Sequence, residues 1–164
     1  MEFHFDHVSD AQVARIRLDR IGSYRDLTAT DAARLAVAVA TKDVPFQLTI
    51  HVEGKNPETN QVTARLIALD WTYVVDDREL LSGTLDRSLQ FPPGQPVDVP
   101  IGISFNLVRF FQGGARDLFE TSLALAGYGT QTHRVSLRLS PTIDTALGPI
   151  RYPVPISIPI GTPR

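Results

Sequence analysis

Apolar and polar residues alternate along several short stretches of this chain, which is the pattern of β-strands buried on one face. The clearest stretch spans residues 45–53, and its inward-facing positions are Phe46, Leu48, Ile50 and Val52. The same alternation predicts further strands over residues 14–19, 62–75, 79–85, 97–103, 133–139 and 149–160.

Turns and irregularities can be placed on the same pattern. The alternation changes phase near Ile67 and Ala68, which predicts a β-bulge inside a continuous strand. Asp76 and Asp77 lie between two strand-like stretches and predict a tight hairpin turn. Proline lacks an amide N–H, so 97–103 is predicted at a sheet edge or a bulge, and 149–160 is predicted to pair on one side only.

The alanine-rich stretch 32–40 favours a short helix. Thr30 is predicted to cap the first turn, and Asp31 suits the positive end of the helix dipole. A strand remains the alternative, because leucine and valine alternate with alanine in the same stretch.

Residues 106–126 carry apolar side chains at helical spacing, which makes one apolar stripe from Leu107 to Leu125. Gly113 and Gly114 interrupt the stripe, and two interior glycines cost a helix about 2 kcal/mol relative to alanine. The segment therefore predicts a kinked helix or two short helices, the second beginning near Ala115. The stretch 127–129, which contains two glycines, is predicted to end it.

Together these elements predict a mainly β fold, an antiparallel β-sandwich of about seven strands with one or two packed helices. The chain of 164 residues contains no internal repeat and no linker, so we expect a single domain over 1–164. Within it, 1–44 is predicted to supply an N-terminal strand and the short helix.

Composition limits the classes of partner and of chemistry that are expected for the chain. There are 16 Lys and Arg against 18 Asp and Glu, a formal charge of −2, which argues against a general affinity for nucleic acid. The chain has no Cys, so disulfides and thiolate chemistry are excluded. No apolar run approaches the roughly 20 residues of a transmembrane helix. Residues 1–7 lack the basic start and apolar core of a signal peptide.

Four stretches in a fixed order give the sequence a family resemblance. An alternating strand runs into an Asn-Pro turn at 46–57, and an aromatic-bearing hairpin over 69–83 closes with Ser-Gly. A Pro-Gly segment with alternating valine follows at 91–100, and a late strand ends at 147–150. Over about residues 45–160 the chain resembles the late embryogenesis abundant type 2 family, also called the water stress and hypersensitive response (WHy) domain, in its bacterial branch.

The resemblance implies an architecture similar to immunoglobulin and fibronectin type III sandwiches, and a link to desiccation and other water stress. It supplies no catalytic residue, cofactor or metal ligand. Two departures concern turn geometry: the Asn-Pro turn continues as Glu58-Thr59-Asn60, and 28–44 resembles an insertion. Many bacterial members are envelope lipoproteins, so we expect the cell envelope, with an export signal absent from this chain, rather than the cytoplasm.

Histidines are the first candidates for chemistry. His4 and His7 flank Asp6 at a spacing that could hold a metal on a helix, but a solvated terminus is the simpler interpretation. His51 faces water by alternation and His133 opens a strand. Neither has an adjacent nucleophile, and the Ser-Gly at 82–83 lacks the flanking glycine of a nucleophile elbow.

Three other features have a functional and a plain structural interpretation. The acidic residues of the 70–79 hairpin could bind a hard cation, but turn chemistry explains them. The glycines at 113–114 could open an anion site at a helix start, but a helix break suffices. Trp71 and Tyr73 could stack on a ligand, but burial in the core is favoured. The acidic residues are Asp70, Asp76, Asp77 and Glu79.

Three hypotheses for function follow. The leading one is a non-catalytic, stress-associated protein without cofactor or metal, which acts as a stabilising or interaction module through weak contacts with proteins or a membrane surface. The second is an envelope module that binds a ligand or lipid through the 107–125 helix region. The third, a hydrolase, depends only on His51, His133 and scattered carboxylates.

Overall fold

The computed structural model describes residues 1–128 and 132–161, and over these residues the chain is mainly β. Two 3-10 turns accompany the main elements, at Tyr24–Asp26 and Leu107–Arg109. The main elements in chain order are β1 (Glu2–Val13), β2 (Ile16–Arg17), α1 (Ala29–Ala40), β3 (Pro45–Lys55), β4 (Ala64–Val75), β5 (Arg78–Leu85), β6 (Leu89–Phe91), β7 (Pro96–Asn106), α2 (Ala115–Ala126), β8 (Val135–Thr145), β9 (Gly148–Arg151) and β10 (Ile156–Ile160).

The strands form two antiparallel sheets. The four-stranded sheet has the order β2-β1-β3-β7, and the six-stranded sheet has the order β10-β8-β4-β5, with β6 on β4 and β9 on β8. The predicted fold class, a mainly β antiparallel sandwich with one or two helices, is confirmed. The proline-bearing strand β7 ends its sheet, as predicted from its missing donors. The stretch predicted as one strand at 149–160 forms two strands, β9 and β10, and each pairs with β8 on one side, as expected for strands that contain proline.

The bounds predicted for the first strand were wrong. The strand expected at 14–19 is reduced to β2, and the long strand of this region is β1. Phe3 is buried in β1 and alternates with the exposed Glu2 and His4, a period-two signal that the polar composition of the first residues obscures. The strand count rises accordingly above the expected seven within the described residues.

The bulge and the hairpin turn predicted for residues 62–85 both lie in the six-stranded sheet. The register of β4 against β8 shifts between Leu66 and Ala68, so the predicted bulge is confirmed. Asp76 and Asp77 connect β4 to β5 with φ of 51° and 63°, a left-handed pair of residues that suits a tight hairpin. A second shift, between Tyr73 and Val74 in the β4–β5 pairing, is not predicted by the sequence.

The described chain divides into two compact units. The first unit contains Met1–Asp6, His51–Ile101 and the described residues from Arg134 onward, which include the whole six-stranded sheet. Phe91 on β6 packs within this unit against Phe3 of β1, with ring centroids 6.4 Å apart. A Cβ on Gly54 of β3 would approach Phe91 Cε1 to 2.6 Å, so the glycine permits this close packing between the two sheets.

Asn56 joins the end of β3 to the loop before β7 in the same unit. Its side chain is buried, and its Nδ2 donates to the carbonyl oxygens of Val62 at 2.9 Å and Phe91 at 3.0 Å. Its Oδ1 accepts from Asn60 Nδ2. A buried amide whose donors and acceptor are all used fixes the path of the Asn-Pro turn.

The second unit contains His7–Ile50 and the described part of Gly102–His133, with both helices. The helix alternative for the alanine-rich stretch is confirmed as α1. Its cap was predicted wrongly: Thr28, not Thr30, accepts the Asp31 N–H, at 3.1 Å. Thr30 lies inside the first turn, because the helix begins three residues earlier than the alanine pattern suggests.

The segment after β7 forms a 3-10 turn and then α2, which confirms the prediction of two short helical pieces with the second beginning at Ala115. Gly113 has φ of +135°, and a Cβ there would lie 2.6 Å from Asp117 Cβ. Gly127 ends α2 in the left-handed conformation, as predicted, with φ of 84°. The prediction for Gly129 lies outside the described residues.

Candidate functional site

The first unit presents a regular polar surface on the six-stranded sheet. Along β4 the buried Leu69 and Tyr73 alternate with the partly exposed Asp70 and Thr72, so one side of the strand is apolar and the other polar. Burial raises the pKa of the Tyr73 hydroxyl, which stays neutral on the apolar side.

Register aligns the polar residues of β4 with those of its neighbours. Thr72 lies opposite Ser82 of β5 and Arg138 of β8, and Arg138 lies opposite Ser157 of β10, so one row crosses four strands. We call this side of the sheet the polar face. It consists of Arg65, Asp70, Thr72, Glu79, Ser82, Thr84, Ser136, Arg138, Ser140, Thr142, Asp144, Arg151 and Ser157.

Three ion pairs connect strands on the polar face, and two of them span an intervening strand. Arg138 Nη1 lies 2.6 Å from Glu79 Oε1, and Arg151 Nη1 lies 2.8 Å from Asp70 Oδ2. Arg65 Nη1 lies 3.5 Å from Asp144 Oδ2. The positive and negative groups of the polar face are therefore equal in number and matched within the molecule.

Hydroxyl groups fill the spaces between these pairs. Thr84 Oγ1 donates to Asp70 Oδ1 at 2.7 Å, and Arg65 Nε donates to Ser88 Oγ at 3.1 Å. A hydroxyl both donates and accepts, so the polar face can exchange hydrogen bonds with water or with another polar surface without needing a particular charge sign.

The acidic hairpin is held by arginines and backbone groups. Asp76 Oδ1 accepts from the Arg134 N–H at 2.9 Å, and Asp77 Oδ2 lies 2.7 Å from Arg134 Nη2. Together with the pairs of Asp70 and Glu79, these contacts give each acidic residue a basic or backbone partner. Within the described residues, no group of three or more His, Asp or Glu side chains could hold a metal ion.

The histidines occupy separate environments. His4 and His7 are both exposed on β1, and a spacing of three residues in a strand directs side chains to opposite faces. His51 Nδ1 lies 3.0 Å from both carboxylate oxygens of Asp98 within the first unit. His133 packs edge-on against Phe111 in the second unit, with ring centroids 5.4 Å apart.

The aromatic and helical candidates divide between core and surface. Tyr73 is fully buried, whereas Trp71 is half-buried and lies over Gly83 of β5, its register partner. A Cβ on Gly83 would approach the Trp71 indole to 2.5 Å, so the Ser-Gly of the hairpin provides space for the ring. The α2 part of the apolar stripe is buried at Leu118, Phe119, Ser122 and Leu125.

The start of α2 uses its own carboxylate. Asp117 Oδ2 accepts from the N–H of Gly114 at 3.4 Å, so this side chain occupies a position that an anion would otherwise take. Among the described residues, neither helix is both long and apolar enough to cross a bilayer.

An open groove of about 340 Å³ borders the Asn-Pro turn. It lies between the 60–64 segment and the turn from β8 to β9, and it is lined by Asn56, Asn60, Gln61, Val62, Thr63, Ala64, Ile143, Asp144, Thr145 and Ala146. Sequence reasoning identified the turn but not the groove, because the two sides are about 80 residues apart in the chain.

Sequence reasoning also missed the arginines of the polar face. Alternation places Arg65 and Arg138 on the exposed side of their strands, and this was the available signal. Which carboxylate each arginine meets depends on the strand order and on two register shifts, one of which has no signature in the sequence.

Comparison of the chain with protein-family models and with curated proteins gives no significant match. Among solved structures, a crystal structure of a protein from Archaeoglobus fulgidus is similar, with a TM-score of 0.43 and 11% sequence identity. The similarity covers 73% of this chain and 87% of the archaeal chain.

Proposed function

We propose that this chain is a non-catalytic, stress-associated protein of the late embryogenesis abundant type 2 (WHy) kind, which stabilises other macromolecules as water is lost. The sequence resemblance over residues 45–160 motivates the proposal. The observation that carries it is the polar face, whose charges are matched in ion pairs between strands of one sheet.

The residues that carry the family resemblance have structural roles, which is compatible with a non-catalytic protein. Asn56 of the Asn-Pro turn holds two backbone carbonyls, and Gly83 of the Ser-Gly pair accommodates the Trp71 ring. These motif positions stabilise the sandwich of the first unit.

Water loss changes the energetics of the polar face. Two opposite charges 4 Å apart attract by about 1 kcal/mol in water and by about 4 kcal/mol at an effective dielectric constant of about 20. Exposed ion pairs therefore contribute little in dilute solution and more when water is removed. Because the arginines and carboxylates of the polar face are already paired, drying strengthens contacts that hold β4, β5, β8 and β9 together.

The same groups suit weak contacts with many partners. A charge-balanced surface repels neither acidic nor basic proteins at short range, and its hydroxyls replace hydrogen bonds that a drying partner loses to water. Such contacts are distributed and individually weak, so we expect protection to depend on the mass of protein added rather than on a specific stoichiometry.

Drying a labile enzyme tests the proposal. The enzyme is dried and rehydrated alone, with this protein, and with an inert protein at equal mass, and the recovered activity is measured. A polar-face variant, E79Q/R138Q/D70N/R151Q, removes two ion pairs without changing the net charge. We expect the wild type to preserve clearly more activity than the inert protein, and the polar-face variant to lose most of that advantage.

A matched variant controls for the loss of ion pairs as such. D31N/R34Q/R17Q/D19N removes the Arg34–Asp31 and Arg17–Asp19 pairs of the second unit, also at constant net charge. It is expected to protect as well as the wild type. Equal recovery with the wild type and with the inert protein contradicts the proposed function, and equal losses in the two variants contradict the assignment to the polar face.

A further inference from the structure

The six-stranded sheet ends in β5, and residues 81–85 of this strand lack the usual protection of sheet edges. β5 pairs with β4 on one side and is the last strand of the sheet among the described residues. An edge strand presents backbone donors and acceptors to another strand, and natural proteins block this with proline, lysine, bulges or short strand length.

Four other strands at sheet edges carry such protection. β10 contains Pro159 and β9 contains Pro149, and both strands lie at the edge of the six-stranded sheet that is opposite β5. In the four-stranded sheet, β7 contains Pro96 and Pro100, and β2 is only two residues long. β5 contains neither proline nor lysine, and its one register shift precedes Leu81.

The regular part of β5 is self-complementary. The segment 81–85 reads Leu-Ser-Gly-Thr-Leu, with a hydroxyl residue on each side of Gly83 and a leucine at each end. Antiparallel pairing of two copies about Gly83 therefore places leucine opposite leucine and Ser82 opposite Thr84. Both combinations are favourable cross-strand pairs.

The charged residues on either side of this segment are also complementary between two antiparallel copies. Glu79 precedes it and Arg87 follows it, each four residues from Gly83. In the antiparallel arrangement, Glu79 of each copy lies at the same end as Arg87 of the other copy. The arrangement is two-fold symmetric and uses both edges at once, so it closes as a dimer.

We propose that two copies of this chain associate through β5, antiparallel about Gly83, and so join their six-stranded sheets edge to edge. This inference is independent of the proposed function. The partner is a second copy of this chain, because the paired segment and the charges on either side of it are self-complementary.

Sedimentation velocity at increasing protein concentration tests the proposal with two variants. S82K/T84K places lysines opposite each other twice, and S82E/T84K places glutamate opposite lysine twice at the same positions. We expect the wild type to show a monomer–dimer equilibrium, the dissociation constant of S82K/T84K to rise at least about tenfold, and S82E/T84K to dimerise as the wild type does.

Trp71 gives a second readout that needs no variant. It is the single tryptophan of the chain and lies over Gly83, so its emission should shift to shorter wavelength as the wild type is concentrated. A wild type that sediments as a monomer at every concentration and shows unchanged emission overturns the proposal. Dimerisation of both variants to the same extent overturns it too, because the contact would then lie elsewhere.

Discussion

At the scale of single residues, the stability of the first unit depends on the buried side-chain amide of Asn56. Asn56 accounts for three hydrogen bonds, and the carbonyl groups it satisfies belong to residues 6 and 35 positions further along the chain. The sequence predicts a turn at Asn56-Pro57 from local chemistry. It does not predict the partners of the amide, because these are fixed only when β6 and β4 have paired.

Replacement of Asn56 by alanine tests this contribution. N56A leaves two backbone carbonyls without their donor in a buried site, which costs about 2–4 kcal/mol of unfolding free energy. N60A removes only the bond that Asn60 donates to Asn56 and is expected to cost about 1 kcal/mol. Urea unfolding followed by circular dichroism measures both, and equal stabilities of the two variants would contradict the assignment.

The arginines of the polar face illustrate a different limit at the same scale. Period-two alternation correctly predicts that Arg65 and Arg138 face away from the apolar side of the sheet. The identity of the opposing carboxylate is a property of register, and a shift of one residue would exchange it. The candidate site was therefore visible in the sequence as exposed polar positions, not as ion pairs.

At the scale of elements, the glycines determine where α2 begins and ends, whereas the apolar stripe continues beyond the start of the helix. The stripe runs through Gly113 and Gly114, yet the helix begins after them because Gly113 adopts a positive φ and Asp117 folds back to the Gly114 N–H. The sequence predicted this break. It did not predict Thr28 as the cap of α1, because both Thr28 and Thr30 are residues that cap helices well and the alanine pattern begins after Thr30.

Serine substitutions at the two glycines separate their contributions. G113S is expected to destabilise the protein by about 1–3 kcal/mol, because its φ is strained for a side chain and its Cβ meets Asp117. G114S meets nothing within 4 Å and supplies a good N-cap hydroxyl, so we expect unchanged or slightly higher stability. Thermal unfolding of both variants measures the difference, and equal losses would refute the distinction.

At the scale of the whole molecule, the period-two pattern was sufficient for the fold class. It predicted antiparallel sheets in a sandwich, the bulge in β4 and the edge positions of β7 and β10. It was insufficient for strand order, because β4 pairs with β8 across about 60 residues of intervening chain and no local signal specifies that partner. β1 was missed for a local reason, because the polar residues near the start of the chain obscure its period-two pattern.

To stabilise other macromolecules as water is lost, the protein must keep its own sheets, and we expect the matched charges of the polar face to preserve them. Infrared spectra of the amide I band, recorded in solution and from a dried film of the same sample, measure this directly. The account predicts an unchanged β-sheet band for the wild type on drying and a weakened band for E79Q/R138Q/D70N/R151Q. A wild-type film that loses its β-sheet band, or a polar-face variant that retains it fully, would contradict the account.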